Sequence, residues 1–205
     1  MGFDPHGPPR LRKPPSFGLK LPMSENPPSP KQSDVAGQLC PACGMCCNGV
    51  LFADLRLQRG DNPKRLAKLG LPLERRGQVL RLPQPCPAHD GRLCGIYADR
   101  PARCRAFECR LLQKVQAGQL SRAAALRAIG KARRQAEAVR VLLRQLGEKD
   151  ESLPLFGRAI KVLSQPWDLA GDQAIHRLRE KLLRAERRLT HLLQTDFLGS
   201  LSETM

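Results

Sequence analysis

The chain has 205 residues, 35 Lys and Arg against 19 Asp and Glu, and a formal net charge of +16. That length allows one domain, or one compact domain with an appendage, and aromatics at 4% leave the core to Leu, Ala and Val, which suits helices better than a sandwich of strands. The basicity is spread along the chain, which favours weak, salt-sensitive contact with nucleic acid or anionic lipid and points to no specific reader, and no run of about 18 apolar residues exists that could span a membrane.

Residues 1–37 are rich in proline, with Pro5, Pro8, Pro9, Pro14, Pro15, Pro22, Pro27, Pro28 and Pro30 ahead of residue 31. Such a segment cannot bury enough apolar surface to offset its ordering entropy, so it is expected to be disordered. It also lacks an apolar signal-peptide core, and the protein reads as cytoplasmic and thiol-reducing. Residues 38–112 form a cysteine-rich module of short elements. Val50 to Leu57 and Gln78 to Leu82 are predicted strands, with Gly77 at the turn before the second. Between them Asp61 or Asn62 caps a short helix, Pro63 sits in its first turn, Leu66 and Leu69 form its apolar edge and Gly70 ends it.

Residues 113–196 are predicted to be a basic helical hairpin. Ser121 caps a helix on which Ala125, Ile129, Ala132, Ala136, Val139, Leu143 and Leu146 recur at helical spacing, ending near Gly147. A loop with Pro154, Gly157 and Pro166 follows. Trp167 and Asp168 then open a last helix, along which Ile175, Leu178, Leu182, Ala185, Leu189 and Leu192 step as a heptad seam. The seam suits packing of the two helices on each other and on the cysteine module, with dimerisation or docking of an unknown protein partner as the alternative. Residues 197–205 are expected to be a flexible tail. The fold class is therefore mainly α, with a small α+β cysteine-rich metal-binding module and a helical C-terminal extension.

All eight cysteines lie between Cys40 and Cys109. The first group is Cys40, Cys43, Cys46 and Cys47, where thiols at every third position around Gly44 make a knuckle able to turn several sulfurs inward. The second is Cys86, Cys94, Cys104 and Cys109, so a site mixing the groups closes a long loop. Thiolates are the usual ligands of structural zinc and of iron–sulfur clusters. A module with so small a core needs such a link, whose binding free energy becomes folding free energy. Neighbouring side chains diverge, so Cys46 and Cys47 are expected to do different jobs, and on a continuous helix Cys104 and Cys109 would lie on different faces. One site with spare thiols and two four-sulfur sites both remain open. Arg100, Arg103 and Arg105 crowd the last cysteines, and nearby cations favour thiolate.

The stretches CPACGMCC at 40–47, QPC at 84–86 and CGIYADRPARCRAFEC at 94–109 resemble the CxxCxxCC, or YkgJ-like, cysteine-cluster proteins, described as zinc- or iron-chelating domains. The resemblance covers about a third of the chain. It implies a zinc or iron–sulfur centre with Cys40, Cys43, Cys46, Cys47, Cys86, Cys94, Cys104 and Cys109 as candidate ligands, and it implies no reaction. Certain flagellin lysine methylases carry a similar cluster, but no Gly-rich cofactor loop accompanies it here.

Among single residues, His89 follows Cys86 at CxxH spacing but reads as a solvated loop histidine. Tyr97 and Phe107 read as core of the small module. Arg100 and Arg105 read as braces on backbone carbonyls, and Asp99 and Glu108 as ion-pair partners. No Ser-His-Asp order, HExxH, Walker loop or dinucleotide fingerprint is present. The sequence therefore points to a metal-binding protein, non-catalytic or accessory. An iron–sulfur redox accessory and a zinc-stapled nucleic-acid-binding module are the alternatives.

Overall fold

The computed structural model describes residues 31–166 and 172–199. Most of the Pro-rich segment, Trp167, Asp168 and the end of the predicted tail lie outside the described residues. The first helix, α1, spans Lys31–Cys43, so helix begins within the segment expected to be disordered. The reason is tertiary: Leu39 is buried in the main core, and Val35 and Ala36 pack against it.

Three short strands follow, β1 (Asp54–Arg56), β2 (Glu74–Arg76) and β3 (Val79–Pro83), in the order β1-β3-β2 with both pairings antiparallel. The predicted first strand is trimmed because Val50 and Leu51 are spent in a turn. Val50 N–H donates to Asn48 Oδ1 at 3.2 Å, and Leu51 N–H to the Met45 carbonyl at 2.9 Å. Strand β2 was not foreseen. Glu-Arg-Arg has neither alternation nor β propensity, and all three residues are exposed on a charged edge. Gly77, at φ +59°, turns β2 into β3. Helix α2 (Pro63–Lys68) follows its predicted signals, with Asn62 Oδ1 accepting from Arg65 N–H at 3.0 Å. Leu66 is buried as expected, whereas Leu69 is exposed and Leu71 takes its place inside.

After a 3-10 turn at Tyr97–Asp99 come α3 (Ala102–Ala106), α4 (Arg110–Gln116), α5 (Arg122–Gln145), α6 (Leu155–Leu163) and α7 (Gln173–Leu193), which runs into a π turn at Gln194–Leu198. Ser121 caps α5 as predicted, accepting from Ala124 N–H at 3.2 Å. Ala125, Ile129, Ala132, Ala136, Val139 and Leu143 are all buried. Helix α5 packs on α7, α1 and α6. On α7, Leu182, Ala185, Leu189 and Leu192 are buried and Ile175 is exposed. The lower part of the seam is therefore used within the chain.

The predicted loop at 154–166 contains a helix instead. Pro154 is the N-cap of α6, where its missing N–H costs nothing, and Leu155, Ala159 and Val162 face inward. Arg179 closes the other end of α6, donating to the carbonyls of Pro166 (3.1 Å), Leu163 (3.3 Å) and Gln165. At the predicted tail, Phe197 is buried and the π turn packs on α4.

One core joins α1, the 45–51 turn and α4 to α7, including Leu39, Met45, Val50 and Leu51. A second, much smaller cluster of Leu66, Leu71 and Leu82 lies under the sheet. Gly49 is where the cysteine segment meets α6. Its φ is +74°, its carbonyl accepts from Leu155 N–H at 2.9 Å, and a Cβ there would stand 3.1 Å from Pro154 Cα and 3.2 Å from Pro85 Cδ. Only glycine fits that backbone and that space. No helix among the described residues is long and apolar enough to cross a membrane.

Candidate metal centre

All eight cysteines are free thiols, with Cys40 exposed and the other seven partly buried. Helix α1 carries Cys40 and Cys43 in its last turn and ends on Gly44, at φ +68°, whose N–H bonds the Cys40 carbonyl at 3.0 Å. The chain then doubles over. The N–H groups of both Cys47 and Asn48 return to the Gly44 carbonyl at 3.0 Å. This tight turn is what separates Cys46 from Cys47. Cys46 packs with Cys43 and Cys109 against the main core. Cys47 is tied to the other segment, its carbonyl accepting from Cys86 N–H at 2.8 Å, and Cys86 packs against the small cluster under the sheet.

The segment after Cys86 folds into a compact loop. His89 N–H donates to the Cys86 carbonyl at 3.0 Å, His89 bridges Cys94 in antiparallel fashion, and Gly95 N–H reaches the Ala88 carbonyl at 2.7 Å. Cys104 rides on α3, whose first turn is capped from afar. Asp61 Oδ1 accepts from Ala102 N–H at 2.8 Å, while Oδ2 accepts from Gln58 N–H at 2.7 Å. No unbroken helix runs from Cys104 to Cys109. Helix α3 ends at Ala106, Phe107 is extended, and Cys109 becomes the N-cap of α4. The break is fixed by Phe107 stacking edge-on against Phe52, centroids 5.0 Å apart.

Electrostatics sort the thiols in the same way. Burial is the largest influence on each perturbed thiol and raises its pKa, as expected when a charged form loses water. Cys43 is pushed up to about 12, with Cys109 and Cys40 as its thiol neighbours. Cys46 lies well above the ordinary value, with Cys43 and Cys109 the nearest contributors and Cys47 and Cys40 after them. Cys40 is raised by burial and then by Cys109. Cys109 is raised by burial too, while the N–H groups of Leu112 and Leu111 lean toward its sulfur and oppose the rise without closing a capping hydrogen bond.

Cys47 is also pushed to about 12, but its thiol neighbours are Cys104, Cys86 and Cys94 before Cys40. Cys104 rises to about 11 by burial, then through Cys86 and Cys94. Cys86 is raised by burial and by Cys94. The surrounding arginines do not reverse this trend. Arg100 lowers Cys40 and Cys104 and Arg133 lowers Cys43, each less than burial raises them. The arginines act in the expected direction, and burial outweighs them at Cys40, Cys43 and Cys104.

Arg100 and Arg105 do brace the loops. Arg100 Nε donates to the Tyr97 carbonyl at 3.0 Å, Arg105 donates to the Arg100 carbonyl, and Arg133 reaches from α5 to the Ala42 carbonyl at 2.8 Å. Asp99 pairs with Arg65 at 2.5 Å. Glu108 accepts from Gln116 Nε2 at 3.2 Å instead of joining an ion pair. Tyr97 is 63% exposed, not core, with the Arg100 guanidinium 3.6 Å from its ring centroid.

His89 is misjudged by sequence. Its Nε2 is buried with no hydrogen-bond partner among the described residues, and a Cβ on Gly44 would meet its Cε1 and Nε2 at 3.2 Å. The ring therefore fills the space that Gly44 leaves open, joining the 86–94 loop to the cysteine knuckle. The signal was present in CxxH together with the central glycine of CPACGMCC, two features that sequence distance hides from each other.

These observations identify the kind of site. Residues 39–124 match the CxxCxxCC family model. That family is described as a "Putative zinc- or iron-chelating domain". Comparison with curated proteins and with solved structures gives no match. The CxxCxxCC segment fits such a metal by its donor chemistry: soft thiols, largely covered, within electrostatic reach of one another, beside an orphaned imidazole nitrogen. Among the described residues no three His, Cys, Asp or Glu side chains already form a cage for an ion. Metal binding to protonated thiols releases their protons.

Proposed function

We propose that this chain is a cytoplasmic zinc- or iron-binding protein in which the CxxCxxCC domain holds metal through cysteine thiolates, and the C-terminal helices anchor that domain and offer a surface to a protein partner. The observation that carries this reading is that α4, capped by Cys109, packs on α1, which bears Cys40 and Cys43, with Cys43, Cys46 and Cys109 on the same core across a loop of more than sixty residues. Soft thiols brought to one place from opposite ends of the segment match the donor set of a metal cross-link. Bound zinc would supply a fixed tetrahedral link, and bound iron the capacity to pass one electron.

This chain's own residues supply the rest. Burial by Leu39, Met45 and Leu112 keeps water from one side of the thiols. The arginine braces hold the intervening carbonyls, and the Cys109 sulfur sits at the positive end of α4. Among the described residues no nucleophile–base pair accompanies them, and the reading proposed is non-catalytic or accessory.

Anaerobic purification with elemental and acid-labile sulfide analysis tests it. Zinc alone in a colourless protein, or iron with sulfide in a brown protein whose EPR signal appears on reduction, supports the proposal and names the metal. A protein with neither metal nor sulfide, unable to take up added Zn²⁺ or Fe²⁺ and unchanged in chelator, overturns it.

A further inference from the structure

The 45–51 turn and the middle of α5 together line a cavity of about 290 Å³. Met45 and Val50 of the turn and Ala136 of α5 are each 1% exposed, so the cavity reaches down to the main core. The rest of its lining is Asn48, Glu137 and three arginines, Arg133, Arg134 and Arg140. Packing does not call for three guanidinium groups at one depression, where their like charges repel and the concave wall focuses the field.

The one carboxylate in the lining does not balance them. Glu137 accepts from Arg144 Nη2 at 2.6 Å and stands 3.6 Å from Arg140 Nη1, so it shares its charge with an arginine that does not line the cavity. Among the described residues no carboxylate pairs with Arg133 or Arg134. Three positive groups against one negative leave two uncompensated charges. Other contacts set the positions of these donors. Arg133 reaches the Ala42 carbonyl at 2.8 Å and keeps further N–H groups to give. Arg134 lies back along α5, its Nη1 3.4 Å from where a Cβ on Gly130 would stand. A glycine inside so long a helix weakens it, and here its missing side chain leaves room for that guanidinium. Asn48 Oδ1 is taken by the Val50 N–H, which leaves Nδ2 as one more donor.

We propose that this cavity binds a small oxyanion with two or more negative charges, a di- or tricarboxylate or a phosphate monoester, on Arg133, Arg134, Arg140 and the Asn48 amide. Its volume falls at the small end of ligand pockets, which run from about 300 to 1,000 Å³, and suits a compact anion. Planar guanidinium forks match the paired oxygens of carboxylate and phosphate. An anion held there bridges α5 to the turn that bears Asn48 and so fastens the cysteine segment to the helices. The site uses no cysteine and stands whether or not the metal-binding reading does.

The full chain is titrated at low salt with tricarballylate and, separately, with glycerol 3-phosphate. Binding is followed by calorimetry and by the NMR signals of the arginine Nε–H groups and the Asn48 side-chain amide. Saturable binding of one anion per chain is expected. Binding of tricarballylate alone identifies a polycarboxylate site, and of glycerol 3-phosphate alone a phosphate site. Arg134→Gln/Arg140→Gln should weaken binding about tenfold or more, the worth of a charge-assisted hydrogen bond. Arg187→Gln/Arg188→Gln removes the same charge from exposed positions on α7 and should change binding less than about twofold, because distant exposed charges are screened.

Binding of neither anion would overturn the proposal, as would an equal loss in the α7 variant. A short RNA that bound through Arg134 and Arg140 while neither small anion did would place a nucleic-acid surface there and overturn it too. The NMR shifts are read on the unaltered chain, so the test survives a variant that misfolds. Movement confined to Arg133, Arg134, Arg140 and Asn48 supports the site, and movement centred on the α7 arginines overturns it.

Discussion

The helical part and the cysteine part of this molecule are held by different means. Helices α5 and α7 pack together in the main core, where Ala132, Ala136, Val139 and Leu143 of α5 and Leu182, Ala185 and Leu189 of α7 are each at most 1% exposed. The strand region buries Leu66, Leu71 and Leu82 and little else. At about 1.5–3 kcal/mol per buried aliphatic side chain, the first set can offset the ordering of two long helices. The second is much smaller, and caps and arginine braces add to it; the proposed metal cross-link would act there.

Removing metal should expose that contrast most strongly, since structural zinc can contribute on the order of 10 kcal/mol to a small domain. Hydrogen exchange before and after chelation should show protection collapsing across residues 54–106 while α5 and α7 stay protected. Equal loss in both regions would mean that the helices depend on the metal as well. Next in size is Leu143→Ala, which leaves a cavity in the main helical core and should cost about 2–5 kcal/mol in chemical denaturation. Leu82→Ala in the loaded protein should cost clearly less, because its smaller cluster can collapse around the gap.

A third expectation concerns the buried charges that fasten α6. Glu148 lies beneath Lys161, which bonds it at 2.7 Å, and its backbone carbonyl accepts from Arg158 at 3.1 Å. The bond from Lys161 and the N–H of Asp150 hold its carboxyl below the usual range, with the cost of burial working the other way. A group with a lowered folded pKa stabilises fully above its unfolded value, about 4.3 for Glu, and that stability is lost as pH falls further through the folded value. Glu148→Gln should destabilise by about 1–3 kcal/mol at neutral pH. The gap from wild type should close in acid, as measured by melting at pH 7 and in steps below pH 4. The smallest effect belongs to Asp61→Ala. It removes the remote cap of α3 and should cost about 1 kcal/mol while loosening Cys104, measurable as faster exchange at Ala102.

What sequence could reveal follows the same divide. The α5 helix was legible from Ser121 to its end because period and cap agreed. So was α2 from Asn62 and Pro63, and the divergence of Cys46 from Cys47 followed from local geometry. Strand β2 was not legible, because Glu74–Arg76 is paired by β3 and not by any preference of its own. Nor was α6, since Pro154 and Gly157 look like loop residues until a core is available for Leu155 and Val162. His89 and the Asp61 cap depend on contacts between residues about 40 positions apart, which no local pattern encodes. The break before Cys109 likewise depends on Phe52.

The glycine at position 49 also fixes where this protein can be divided. The family match stops at residue 124, three residues into α5, yet Gly49 is closed against Pro154, and Leu39, Met45, Val50 and Leu51 are covered by helices that lie past that limit. A boundary drawn from shared sequence is therefore not a folding boundary here. Expressed alone, the matched stretch would carry an uncovered apolar face and should self-associate whatever metal it held, whereas the chain through α7 brings its own cover.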